Sequence, residues 1–126
     1  MERKMYVYDV EERIKLLKIR PGMCVGKQNV TVQELFIYIM GFCQGRNEKM
    51  TQLEHSFYRC FAKYVYDWMD ENNILERKEF TYSWYKYFDQ VDKDGTSLFY
   101  SICEKFFSEY HSNSLNKKYL YKSNSE

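Results

Sequence analysis

Between Thr51 and Trp68 the apolar residues Leu53, Phe57, Cys60, Phe61, Tyr64 and Trp68 recur at steps of three and four. Side chains spaced this way share one side of an α-helix and form a stripe that must be buried. Thr51 stands just before the stripe and Glu54 follows three residues later, the pattern of a capping box that starts a helix. A chain with such a stripe has to fold around one long amphipathic helix.

The same logic places the other elements. Asp9 is a good N-cap for a first helix, with Glu11 and Glu12 in the first turn where the helix dipole favours acids and Val10, Ile14 and Leu17 as its apolar stripe. Pro21 ends that helix because proline cannot continue the hydrogen-bond ladder and biases Arg20 away from helical angles. Gly22 and Gly26 then bracket a tight connection. A second helix opens at Thr31 with Glu34 as capping partner, and carries Val32, Leu35, Phe36, Ile39 and Met40 on one face; Gly41 and Gly45 weaken its end. The third is the Thr51–Trp68 stripe, broken at Asn72-Asn73. A fourth is expected over 78–91, with Phe80, Trp84, Tyr87, Phe88 and Val91 on one side. Asp92-Lys93-Asp94-Gly95 makes a turn. The fifth runs from about Ser97 to His111 through Phe99, Ile102, Cys103, Phe106, Phe107 and Tyr110.

With one Pro and five Gly, the chain has little to interrupt long helices. Its 126 residues suit a single core, and 44% hydrophobic with 29% charged residues argues against wholesale disorder. The expected architecture is all-α: one compact domain of about five helices with little or no sheet. Residues 1–112 form the helical domain, and 113–126 a polar C-terminal tail expected to fray. The expected core contains Leu35, Phe57, Phe61, Trp68, Trp84, Phe88, Phe99, Ile102 and Phe106. The N-terminus lacks the pattern of a signal peptide, and the apolar run Leu35–Phe42 is far too short to span a bilayer. Cys24, Cys43, Cys60 and Cys103 are widely spaced, and the last three fall in apolar stretches, as buried free thiols do in a reducing cytoplasm.

No reaction chemistry stands out. His55 and His111 lie far apart, with no ligand cluster for zinc and no nucleophile motif near any cysteine. Gln90–Gly95 resembles a calcium loop only superficially, since Gln90 and Ser101 would fill the positions that need an acid and a bidentate glutamate. No glycine-rich phosphate loop is present. These patterns imply no catalytic residue, metal or cofactor, and favour a binding protein over an enzyme. A small enzyme or enzyme subunit of unknown substrate is the alternative. A nucleic-acid-associated protein ranks third: Lys117-Lys118-Tyr119-Leu120-Tyr121-Lys122 interleaves cations with aromatics, but the net charge is only +1.

Charge is unevenly distributed. Residues 1–66 hold 11 Lys/Arg against 7 Asp/Glu, whereas 67–94 hold 4 against 8. Several tyrosines (Tyr6, Tyr8, Tyr38, Tyr58, Tyr66, Tyr82 and Tyr85) fall off the core stripes, and exposed tyrosine is a good interface anchor.

Arg20-Pro21-Gly22-Met23-Cys24-Val25-Gly26 resembles the Arg-Pro-Gly-Met-Tyr-Leu-Gly signature of a family of small bacterial proteins, with Cys24 and Val25 departing from it. Leu35 to Gly41, Phe57 to Trp68, Tyr82-Ser83-Trp84 and Leu98 to Tyr110 resemble, in order, further segments of that family, across roughly residues 8–111. Relatives act as immunity proteins in contact-dependent growth inhibition and other polymorphic toxin systems. The resemblance implies a cytoplasmic protein that binds one cognate toxin domain 1:1, without membrane or nucleic acid. It implies no catalytic residue. If the toxin is a nuclease with a basic cleft, the acidic segment is the natural contact, through Asp67, Asp70, Glu71, Asp89, Asp92 and Asp94 with Tyr82 and Tyr85 as anchors. Arg20, Pro21, Gly22, Met23 and Gly26 are expected to be structural.

Overall fold

A computed structural model describes residues 9–20, 26, 30–72, 85–90 and 95–122. Among them are five α-helices and no strand. They are α1 (Val10–Ile19), α2 (Val32–Arg46), α3 (Gln52–Glu71), α4 (Tyr85–Gln90) and α5 (Gly95–His111), with 3₁₀ turns at Asn47–Lys49 and Lys117–Tyr119. The all-α expectation holds. None of the described helices is long and apolar enough to cross a membrane.

The starts of α1, α2 and α3 are fixed by side chains. Asp9 accepts from the Glu12 N–H at 2.9 Å, and Glu12 returns a bond to the Asp9 N–H. Thr31 and Glu34 exchange the same pair of bonds, at 3.1 and 3.0 Å, as do Thr51 and Glu54, at 3.2 and 3.0 Å. α1 stops at Ile19, with Arg20 already outside helical angles, as the following proline requires. Gly26 has φ 87, a left-handed conformation natural to glycine. Pro21, Gly22 and Met23 lie outside the described residues. Gly41 and Gly45 do not shorten α2, which continues to Arg46.

α3 is the axis of the core. Phe57 and Phe61 are fully buried and stack at 4.4 Å, and the α5 rings Phe99, Phe106 and Phe107 close around them at 5.2–6.1 Å. α1 packs on α2 and α5, and α4 lies against α2 and α5. Of the expected core residues, Leu35, Phe57, Phe61, Phe88, Phe99, Ile102 and Phe106 are buried; Trp68 is only half-buried, and Trp84 lies outside the described residues. The helix expected over 78–91 is described only as Tyr85–Gln90. α5 begins at Gly95, two residues ahead of the expected start, and Gly95 is itself buried.

Glu54 does more than cap its own helix. Its side chain is completely buried, accepts the Val10 N–H of α1 at 3.1 Å, and meets Arg46 Nε of α2 at 2.8 and 2.7 Å. One carboxylate therefore ties together the ends of three helices. Glu54→Gln would turn an amide donor toward other donors and leave the Arg46 charge without its anion. It should cost about 3 kcal/mol in chemical denaturation. Gly95 marks the other tight point, because a Cβ there would overlap the carbonyl oxygen of Phe88. Backbone cannot yield as a flexible side chain can, so Gly95→Ala should destabilise by ~1–3 kcal/mol even though alanine is the better helix former.

Candidate functional site

The C-terminal end of α3 collects carboxylates. Asp67, Asp70 and Glu71 lie there, and the last turn holds no basic residue. Because unpaired carbonyls make that end of a helix electronegative, an acid in the last turn is disfavoured by roughly 0.3–1 kcal/mol relative to a neutral residue. Asn72 relieves part of the end by donating its side-chain amide to the Trp68 carbonyl at 2.7 Å.

Beside these acids runs a polar cleft of about 230 Å³ between α3, α5 and the chain beyond α5. Its third wall is the segment expected to fray. After His111 the chain turns through Asn113 at φ 60, a conformation asparagine tolerates, while the Ser114 and Leu115 N–H groups donate to the Glu109 carbonyl at 2.9 and 3.0 Å. Leu115 and Tyr119 are buried on α3, and Asn116 caps the 3₁₀ turn between them. Tyr121 donates its N–H to Ser56 Oγ at 2.9 Å, stacks on His55 at 4.4 Å and lies under the Arg59 guanidinium at 4.9 Å. Residues 112–122 are thus a strap bound along α3, which corrects the expectation of a frayed tail up to Lys122. The ring of Tyr119 is buried against Tyr64, and that of Tyr121 packs on His55 and Arg59.

Two tyrosine–carboxylate–lysine sets line the cleft. Tyr64 donates to Glu109 at 2.8 Å, and Lys105 reaches both the Tyr64 hydroxyl at 3.1 Å and Glu109 at 3.0 Å. Tyr119 donates to Asp67, which Lys118 approaches at 3.3 Å. The two rings meet edge-on at 5.1 Å. Burial first, then the hydrogen bond and charge of the neighbouring carboxylate, raise both phenols well above the ordinary tyrosine range. Glu71 adds to the negative field at both. Among the described residues Glu71 itself, exposed on the rim, has no hydrogen-bond or ion-pair partner.

The structure divides the expected contact residues. Asp67 and Glu71 share the cleft, and Asp70 is exposed one turn away. Asp89 has a different role: its carboxylate accepts the Val32 N–H at 2.7 Å and the Gln33 N–H at 3.4 Å, capping α2 from 57 residues away. Tyr85 is half-buried against Phe36, at 6.1 Å between rings, and is no exposed anchor. Tyr82, Asp92 and Asp94 lie outside the described residues. Lys105 and Glu109 were not expected at a site, and Lys118 and Tyr119 only as part of a nucleic-acid-binding stretch, because their meeting here depends on the path of the strap.

Among the described residues cysteine chemistry finds no support; Cys24 lies outside them. Burial pushes the Cys43 thiol up to about 12, and raises Cys103 well above its usual value and Cys60 more modestly. These thiols stay protonated at neutral pH and are poor nucleophiles. His111 pairs with Glu11 at 2.6 Å, while His55 packs on Tyr121. No group of three or more possible metal ligands occurs among the described residues. A second hollow of about 210 Å³ lies between α1 and α5, floored by Ile14, Tyr100, Cys103 and Phe107. Its rim charges are engaged with one another, Lys18 with Glu104 at 2.8 Å and His111 with Glu11. No protein family, characterised protein or solved structure matches the chain.

The raised groups set a pH dependence. Unfolded thiols and phenols ionise near pH 8.5 and about 10, whereas Cys43, Cys103, Tyr64 and Tyr119 hold their protons in the fold to higher pH. Their contribution is complete below the unfolded values and is lost as pH rises toward the folded ones. Stability should fall from pH ~8.5 upward, by as much as ~1.4 kcal/mol per pH unit for each group. Urea midpoints at neutral and alkaline pH measure this; a midpoint unchanged to about pH 10.5 contradicts it.

Proposed function

We propose that the protein is an immunity protein, which binds a cognate secreted toxin domain 1:1 and neutralises it by occlusion, in the cytoplasm and without catalysis of its own. The toxin this reading favours is a nuclease. The observation that carries it is the acidic end of α3. Glu71 stands in the last turn, where the helix dipole disfavours an acid, with no base in that turn and no side-chain partner among the described residues. Surface charge kept at a stability cost suits a partner of opposite sign, and nucleases hold phosphate in basic clefts. The resemblance of residues 8–111 to a family with members that act as immunity proteins favours the same role. The protonated thiols of Cys43, Cys60 and Cys103 lend nothing to the alternative of a small enzyme or enzyme subunit of unknown substrate.

Co-expression with the toxin domain encoded beside the gene, followed by pull-down and a growth-protection assay, tests the role. Failure to bind or protect would sink it. The acidic contribution is tested with Asp70→Asn/Glu71→Gln, leaving Asp89 untouched because it caps α2. Association should slow about three- to tenfold and lose much of its salt dependence, since these charges act over a screening length of about 8–10 Å. Full protection and unchanged association rate by that variant would move the interface elsewhere on the surface.

A further inference from the structure

Lys118 is the one strap lysine that is ion-paired among the described residues; Lys117 and Lys122 are exposed without such a partner. Its ammonium sits 3.3 Å from Asp67 and 5.1 Å from the centre of the Tyr119 ring, so carboxylate and ring face together seat a cation. We infer that this contact is autoinhibitory: Lys118 fills, from within the chain, the seat at Asp67 that a partner's guanidinium or ammonium group takes on binding. The inference rests on the toxin-binding reading above and names its subsite and the chemistry that enters.

Three features make displacement easy. Lys118 is half-exposed at 48%, and exposed pairs of this kind contribute little to stability. The strap is anchored independently by Leu115, Tyr119 and Tyr121, so the flexible lysine stem can swing out while the strap stays docked. Glu71 follows Asp67 by four residues on the same face, and half-buried Trp68 also lines the cleft. An arginine entering as Lys118 leaves would meet two carboxylates with Trp68 beside them, a setting that suits a planar guanidinium better than an ammonium. Until then Lys118 shields Asp67 from weaker cations.

The test uses a hexa-arginine peptide titrated into the full chain, with the Trp68 indole N–H followed by NMR. Lys118→Gln should bind roughly two- to fivefold more tightly than Lys117→Gln, though both remove one positive charge from the strap. Lys118→Arg, which keeps the internal pair with a better-fitting cation, should bind no more tightly than the parent. Equal gains in the two glutamine variants would reduce the effect to net charge and overturn the inference. So would a Trp68 signal that does not move, or no binding by any variant. Tyr121→Ala loosens the strap without changing the charge of the cleft; if it reproduces the gain, strap release rather than Lys118 displacement is responsible. Toxin protection is scored separately, so the inference can fail while the immunity reading stands, and the reverse.

Discussion

Everything in this fold converges on the Glu54 carboxylate. A charge taken wholly out of water is stable only if nearly every lone pair has a donor, and here the donors come from three places: the N-cap of its own helix, the first turn of α1 and the arginine that ends α2. The geometry that satisfies the acid also sets how α1 and α2 approach α3. Hydrophobic burial supplies the driving force, but it is non-directional, and many arrangements of greasy helices would bury similar area. The buried acid discriminates among them, since any slip of α1 or α2 would strand a desolvated charge.

Long-range polar contacts of this kind recur. Asp89 reaches across 57 residues to cap α2, and Asp67 takes the Tyr119 hydroxyl from the strap. Several acids that look like free surface charge in the sequence are thus structural. At the end of α3, Glu71 keeps its negative charge turned toward solvent. The difference lies in position: Asp89 has an open helix start beside it, whereas the acids ending α3 face a helix terminus of their own sign.

How much could be anticipated follows from the range of the interactions. The starts of α1, α2 and α3 were legible because Asp9, Thr31 and Thr51 bond within four residues of themselves. Core membership was legible wherever a stripe kept its period, as from Leu53 to Tyr64 and from Phe99 to Phe107. The strap was not. Its apolar residues, Leu115, Tyr119, Leu120 and Tyr121, follow no helical or strand period and are diluted by Ser, Asn and Lys, so composition suggested fraying. What holds it is docking onto α3, some sixty residues earlier in the chain. The cleft was half legible for the same reason: its α3 wall carries acids that stand out by charge, while Lys105, Glu109, Lys118 and Tyr119 join them only through the tertiary fold.

The strap also gives the molecule an order of assembly. Residues 112–122 dock along α3, and so find their place only once α3 has formed. Until they dock, the flank of α3 around Ser56, Cys60, Tyr64 and Asp67 is bare, with a hydroxyl and a carboxylate lacking the partners they later acquire. A chain at that stage offers a surface that the finished fold covers, and residues 112–122 are the ones that withdraw it.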